Sequence, residues 1–419
     1  MQARRMAIPA GTLLVSALIF ATIVGCGGTG GHVGDAGRDV GNAVDLAPMG
    51  IDGSTQTSDN APGRIDTGAA PPDAGSGLEI GVTPPVDADN DEAGLGIDAG
   101  TDRLPSSSDA GLAAEVQAPP PATIVVLPDT QYYAASYPSV FTMQANWILE
   151  QKSPLNIQAV LHVGDIVDGD TTAQWTVANS AMRLLDGKVP YFLVPGNHDT
   201  DGNRKSMINS YFGPASMPWV TSTMTTGQIE NNYALVDIGP QKWLVLGLEF
   251  GPRDSVMAWA DTVLKAYPNN PAIIVTHAYL YSDGNRYDLA ISGLDANKPN
   301  YQSFIPQAYG FTSSQGINDG EMIWQKLILT NPNVRLVFSG HVTAATGGAR
   351  LTSTRPDGSR VHQMLSDYQW LKGDWFGYGY LRVLQFDFAK KAIQVQSYSP
   401  YTNDYLTDDA NQFTLDLNL

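Results

Sequence analysis

Beyond residue 122 the chain repeats one arrangement, a short apolar run that gives way to a turn. Thr123–Leu127, Ala159–Val163, Tyr191–Val194, Ala272–Thr276 and Val334–Phe338 are continuous apolar runs, too short for buried helices. Such runs predict strands covered on both faces. Between them, Phe141–Gln151, Thr172–Leu185, Asp254–Tyr267 and Glu321–Leu329 carry apolar residues at helical spacing. Alternating strands and helices predict an α/β fold over this part. Asn231–Ile238 and Lys242–Glu249, joined by Gly239-Pro240, read as a hairpin. Arg360–Leu365, Tyr378–Phe388 and Ala392–Ser399 then follow as strands without helices between them, an antiparallel return.

Each of the five buried runs ends on a residue that can bind a metal ion. Asp129 follows Pro128, Asp165 follows Gly164, Asn197 and His198 follow Pro195-Gly196, His277 follows Thr276, and His341 follows Ser339-Gly340. In an open α/β sheet ligands sit beyond the carboxyl ends of the strands, so five such ends can converge on one site. Carboxylate, amide oxygen and imidazole together suit Zn, Mn, Fe or similar ions. A hydrolytic metal centre is the expectation.

Composition confines that chemistry to the second part of the chain. Of the formal net charge of −18, most comes from residues 27–122, where 16 acidic and 3 basic side chains fall. This segment has no Trp, Phe or Tyr and is rich in Gly, Ala, Pro and Asp. It cannot bury enough apolar surface to offset its ordering entropy and reads as a disordered tether over residues 26–122, with a folded domain over 123–419. As a coil it would span roughly 50–60 Å. No basic face for nucleic acid is evident. The single cysteine, Cys26, excludes an intrachain disulfide and a thiolate site in the domain. It closes an apolar stretch, Met6–Val24, preceded by Arg4-Arg5, as a secretory signal over residues 1–25 does. Ile23-Val24-Gly25-Cys26 resembles a bacterial lipobox, which implies an exported protein anchored to a membrane by lipid on Cys26. An uncleaved anchor is the alternative, since about 18 residues is near the lower limit for spanning a bilayer.

Gly164-Asp165-Ile166-Val167-Asp168, then Gly196-Asn197-His198-Asp199, His277 and Gly340-His341 occur in that order. In this combination the chain resembles the calcineurin-like metallophosphoesterase superfamily, in its Pro-Asp-Thr-Gln branch, from about Thr123 onward. The resemblance implies a four-layer α/β/β/α sandwich with two facing mixed sheets and metals at the strand C-terminal ends. It makes Asp165 the carboxylate shared by two metals, with Asn197, His277 and His341 completing the second site and Asp129 on the first. His198 becomes the proton donor near the phosphate, and Asp168 the acid that orients it.

Two positions depart from the family pattern. Gln131 stands where motif I has His, and Thr343 where the last motif has its second His. Both fall on the first site, which then keeps oxygen donors only, Asp129, Asp165 and the Gln131 amide, with Asp367 as a further candidate carboxylate. Such a set suits Mg, Ca or Mn. One tight transition metal (Mn, Fe or Zn) and a weaker second ion are therefore expected. Arg350 is a candidate phosphate contact, Tyr132 and Tyr133 are candidates for the pocket mouth, and His162 and His362 read as packed strand positions. The expected activity is hydrolysis of a phosphate mono- or diester. The alternative is a binding or scaffold protein that kept the fold and one metal.

Overall fold

The computed structural model describes residues 121–419 apart from 312, 374, 375 and 418. Cys26, the signal segment and the tether before residue 121 lie outside the described residues. In chain order the strands are β1 (Ala122–Leu127), β2 (Ile157–His162), β3 (Tyr191–Leu193), β4 (Ser222–Thr223), β5 (Asn232–Ile238), β6 (Gln241–Leu248) and β7 (Ala272–Thr276). They continue as β8 (Val334–Ser339), β9 (Gly348–Thr354), β10 (Arg360–Ser366), β11 (Leu381–Asp387), β12 (Ala392–Ser399), β13 (Asp404–Leu406) and β14 (Gln412–Asp416).

These strands form two mixed sheets. One runs β13-β12-β11-β1-β2-β3, with β14 also on β12, and the other runs β4-β5-β6-β7-β8-β10-β9. Parallel pairing joins β1 to β2 and β2 to β3 in the first sheet, and β6, β7, β8 and β10 in the second. The C-terminal β11 lies antiparallel to β1, which makes the expected return.

Alternation along the apolar runs separates three packed layers. Ile124, Val126 and Leu161 of the first sheet meet Ile273, Val275, Leu336 and Phe338 of the second in the core between them. Val125 and Leu127 point the other way, onto Phe141, Ile148 and Trp175 of helices Pro138–Gln151 and Thr172–Met182. Ile274 and Val337 likewise pack with Val256 and Leu264 of helix Asp254–Ala266. A continuous run is therefore required, because each strand is covered on both faces. Each such buried side chain contributes about 1.5–3 kcal/mol. The four-layer α/β/β/α sandwich is the architecture found.

Helix starts follow local chemistry. Pro138 sits at the start of its helix, where its missing N–H costs nothing, and the Thr171 side chain accepts from Gln174 N–H at the next. Two expectations need correction. The strand expected from Tyr378 begins only at Leu381, because Tyr378 has φ 50° inside a tight turn over Gly377–Gly379. The helix expected over 321–329 is α-helical for Gly320–Ile323 and widens to a π-helix over Trp324–Ile328, with Leu329 N–H donating to the Trp324 carbonyl.

Candidate metal centre

The turns after β1, β2, β3, β7, β8 and β10 meet at one end of the sandwich. Main-chain bonds lace them together: Thr130 N–H donates to the Asp165 carbonyl at 3.0 Å, and Gly340 N–H to the His277 carbonyl at 2.9 Å. Carboxylates add to this. Asp165 Oδ1 accepts from His198 N–H at 3.0 Å, and Asp129 Oδ2 accepts from His341 N–H at 2.9 Å across the two sheets. Asp165 and His341 adopt left-handed backbone, φ 49° and 83°. Strain of this kind costs about 1–3 kcal/mol per residue and gathers at functional sites. The motif glycines have a steric reason. A Cβ on Gly196 would collide with Asp165 Oδ1, and one on Gly340 with Asp129 Oδ1.

Four donors converge on one point. His277 Nε2 lies 3.1 Å from Asp165 Oδ2, 3.2 Å from Asn197 Oδ1 and 3.2 Å from His341 Nδ1. Ligand atoms about 2.0–2.2 Å from a shared ion stand roughly 3–3.5 Å apart, so this spacing fits a metal. The rear nitrogens are committed elsewhere. His277 Nδ1 donates to the Val163 carbonyl at 2.9 Å, and His341 Nε2 to the Phe304 carbonyl at 2.6 Å, which leaves the facing nitrogens for an ion. Burial would raise the Asp165 carboxyl, but His277 and His198 outweigh it and hold it well below the usual carboxylate range. Burial, then the neighbouring His277, pushes His341 down to about 3, so its imidazole is neutral and able to ligate.

A second group of oxygens lies beside the first. Asp129 Oδ1 and Gln131 Oε1 are buried with no hydrogen-bond partner. Thr343 Oγ1 donates to Asp367 Oδ2 at 3.0 Å. Burial, followed by the charges of Asp367 and Asp165, raises Asp129 well above the usual carboxylate range, and burial pushes Asp367 up to about 6. Buried carboxylates and an orphaned amide oxygen are the donor set of a hard cation. Gln131, Asp165, Asn197, His198, His341 and Asp367 border a common cleft of about 420 Å³.

His198 reaches the cleft, although Asp168 holds it differently from expectation. Its Nδ1 donates to the Asp168 main-chain carbonyl at 2.8 Å, while the carboxylate stands at 3.5 Å. Burial alone would depress the imidazole, but Asp165 and the Asp168 carbonyl raise its pKa above the ordinary histidine value. Arg350 is not brought to the site. Its side chain lies on strand β9, with the guanidinium 4.4 Å over the Phe413 ring. Tyr132 borders the cleft, whereas Tyr133 is buried and accepts from Gly379 N–H at 2.9 Å. His162 is packed as expected, between the Thr130 hydroxyl at 2.9 Å and Gly164 N–H at 3.2 Å. His362 is a strand position bonded to Thr352 and to the Asp416 carbonyl.

Sequence reasoning missed Asp199. It accepts from the N–H groups of Gly196, Val167 and Ile166 at 2.8, 2.9 and 3.1 Å, which pins the two motif turns to each other. Its place in Gly-Asn-His-Asp was the available signal. Phe250 was missed as well. It packs against both His277 and His341, ring centres 5.7 and 5.1 Å away, and nothing in its local sequence marks it.

A profile of the calcineurin-like phosphoesterase family matches residues 122–344. "Uncharacterized protein YvnB" of Bacillus subtilis is 36% identical over 314 residues, 71% of this chain and 22% of that protein. "Probable glycerophosphodiester phosphodiesterase GpdQ" of Arcobacter nitrofigilis is 25% identical over 126 residues, 28% of this chain and 40% of that protein. The chain thus spans well under two thirds of the curated relatives it matches. Among solved structures, GAP50, the anchor in the inner membrane complex of Plasmodium, aligns with a TM-score of 0.38 at 12% identity, over 71% of this chain and 89% of that one. The profile spans more than half of the sequence, and the chain belongs to the calcineurin-like phosphoesterase family.

Proposed function

We propose that the chain hydrolyses a phosphate mono- or diester at divalent ions held by these strand-end residues, on an exported domain tethered to a membrane through lipid on Cys26. The observation that carries the catalytic part is the convergence of Asp165, Asn197 and His341 within 3.1–3.2 Å of His277 Nε2. Family membership supports metal-dependent phosphoester hydrolysis in general. The name of the Arcobacter relative supports including diesters among the substrates.

Divalent ions, when bound, supply positive charge that screens the phosphate and acidifies water. Asp165, Asn197, His277 and His341 would hold a transition metal tightly, and Asp129, Asp165 and Gln131 a second ion more weakly. His198 acts on the ester. Its Nδ1 is engaged by the Asp168 carbonyl at 2.8 Å, which leaves Nε2 as the nitrogen that can carry a mobile proton. As water oxygen bonds to phosphorus and the phosphorus–oxygen bond of the leaving group breaks, Nε2 gives its proton to the departing oxygen. A proton released by the attacking water restores the imidazolium, so charge and atoms balance.

Cys26 and its flanking residues are the support for the tether. Among the described residues no helix is long and apolar enough to cross a membrane. Purified protein loaded with Mn, Zn, Fe or Mg and offered phosphate monoesters and diesters should release phosphate or alcohol, and chelation should stop it. Absence of cleavage with every metal and both ester classes would overturn the enzymatic reading.

A further inference from the structure

Phe304 is a bulky residue in a backbone conformation that bulky residues avoid. Its φ of 62° is left-handed, and its ring is 58% exposed. Strain of this kind persists only where the surroundings fix the chain. They do so here from both sides. The Ser303 carbonyl accepts from the Tyr287 hydroxyl at 3.1 Å, and the Ser303 and Tyr281 hydroxyls share a hydrogen bond of 3.1 Å. Ile305, on the other side, is fully buried. Between these anchors the Phe304 carbonyl accepts from His341 Nε2 at 2.6 Å. The main chain is therefore used at this position, whereas a half-exposed ring adds little packing to offset the strain. Asn or Gly would present the same carbonyl with less of it.

The ring stands where a bound ester would extend. His341 turns Nδ1 toward His277 Nε2, at 3.2 Å, and Nε2 toward Phe304, so the ion-binding point and Phe304 lie on opposite edges of one imidazole. Phe304 borders the same cleft of about 420 Å³ as Asn197 and His198, with Tyr281, Tyr309 and Trp370 also on its walls. The Tyr309 ring centre lies 5.8 Å from that of His341, and Trp370 is 46% exposed. Among the described residues no Lys or Arg borders this cleft. An aromatic wall has two classes of partner, flat rings that stack on it and organic cations that rest over its face. Charge decides between them. Divalent ions at His277 and His341 would set positive charge beside the wall, which repels a cation and does not act on a neutral ring.

We infer that Phe304 is a specificity-determining residue, and that its ring stacks on a flat aromatic group carried by the alcohol part of the phosphate ester. This inference rests on the proposed phosphoester function and names a class of substrate for it. The base of a nucleoside and a simple aryl group share the required chemistry. Phe304 meets the substrate away from the reacting atoms, so it acts on affinity rather than on the chemical step.

Phosphonates, whose carbon–phosphorus bond is not hydrolysed, test the contact without turnover. The full chain, loaded with Mn²⁺ or Zn²⁺, is titrated in a calorimeter with benzylphosphonate and with methylphosphonate. Both meet the ions through the same group, so the ratio of their affinities cancels any change at the metals. Wild type should favour benzylphosphonate by about 5–100-fold, the range for stacking one ring on an aromatic side chain. Phe304→Asn, which removes the ring and suits left-handed backbone, should lower that ratio at least about 5-fold, and Phe304→Tyr should restore it. Tm of Phe304→Asn should not fall below that of wild type. In hydrolysis the same variant should raise KM for aromatic esters more than it lowers kcat, and nucleoside phosphates compared with benzyl phosphate tell a base from a simple aryl group. A ratio near one in wild type, or a ratio that Phe304→Asn leaves unchanged while Tm drops, marks the ring as packing and overturns the inference. Tighter binding of trimethylammonioethyl phosphonate than of benzylphosphonate overturns it in favour of a cation. A wild type that prefers benzylphosphonate but cleaves no ester leaves this inference standing and removes the hydrolytic function alone.

Discussion

Replacing His198 by Ala isolates one proton from the rest of the centre. The substitution leaves the peptide N–H, so the 3.0 Å bond to Asp165 Oδ1 persists, and the contacts of Asp165 with His277 are not made by the side chain removed. What disappears is an imidazole whose Nδ1 bonds the Asp168 carbonyl at 2.8 Å. Metal content should therefore hold. Turnover of an alkyl ester, whose leaving oxygen needs a proton, should fall by about 10²–10⁴-fold. In barrier height that is about 2.7–5.5 kcal/mol. A nitrophenyl ester leaves as a stable phenolate and should lose less than about 10-fold, because little proton transfer is needed. The pH profile supplies a second signature. The His198 pKa is raised by Asp165 and the Asp168 carbonyl, against burial, so its proton persists above the ordinary histidine range and is lost as pH climbs past the raised value. Wild-type kcat should decline on that alkaline limb, and the variant should lack it. Paired kcat measurements on both esters across pH, with metal analysis of each sample, make the comparison. Equal losses on the two esters with metal retained, or loss of metal together with the imidazole, would refute the assignment.

Asn197→Ala and His277→Ala should each remove the tight transition metal and activity together, since both donors face the same point; metal analysis by mass spectrometry checks this, and retention of one equivalent in either variant counts against the site. In metal-free protein, burial and Asp165 push Asp199 up to about 7, and burial pushes Asp367 up to about 6. A carboxyl raised on folding stabilises the native state below its unfolded value and loses that stability as pH rises through its folded value, whereas His162 and His341, buried and lowered to about 3, act in the opposite sense. Compared in chelated protein with Asp367→Asn, which keeps both histidines, the wild type should therefore lose Tm relative to the variant between about pH 5 and about pH 8. Asp165, held low, titrates below this window, and added Mn²⁺ or Zn²⁺ should raise Tm more at the higher pH; a wild-type Tm that gains on the variant as pH rises would contradict this. Cys26→Ser should release the product from the membrane, and recovery of an intact Met1 terminus from membranes of the wild type would sink the lipid anchor.

The strands that build the site were legible because burial on both faces demands unbroken apolar runs, and each of the five runs became a strand, four of them interior to their sheets and β3 at the end of its own. Peripheral strands were harder to read. β9 alternates Arg350, Leu351 and Thr352 with only one covered face, and β4 and β13 are two and three residues long, too short to show a period. The convergence of Asp129, Asp165, Asn197, His277 and His341 followed from their shared position after strands. The Asp168 carbonyl could not be foreseen, because the main chain offers the same group at every residue and only φ and ψ decide where it points. Arg350 failed as a phosphate contact for a similar reason: its strand position determines the face it occupies, and Phe413, which that face meets, lies over 60 residues further along the chain. The sequence offers Asp367 as a candidate carboxylate where the second histidine is missing, but the bond from the Thr343 hydroxyl to Asp367 Oδ2 could not be foreseen, because it joins turns that follow two different strands.

The pairing of β1 with β11 has a consequence for how the molecule comes into being. The family profile stops at residue 344, yet Val125 of β1 is bonded opposite Val383, nearly 260 residues away in the chain. A fragment trimmed to the profile would leave β1 as a bare sheet edge with apolar residues on both faces, the kind of edge that recruits other chains. Closing so long a loop also delays folding, because its entropy must be lost before the pairing rewards it. The ion-binding turn after β1 is thus among the first parts to be synthesised and among the last to be secured, and the chain passes through a long adolescence in which its chemistry is written but not yet assembled.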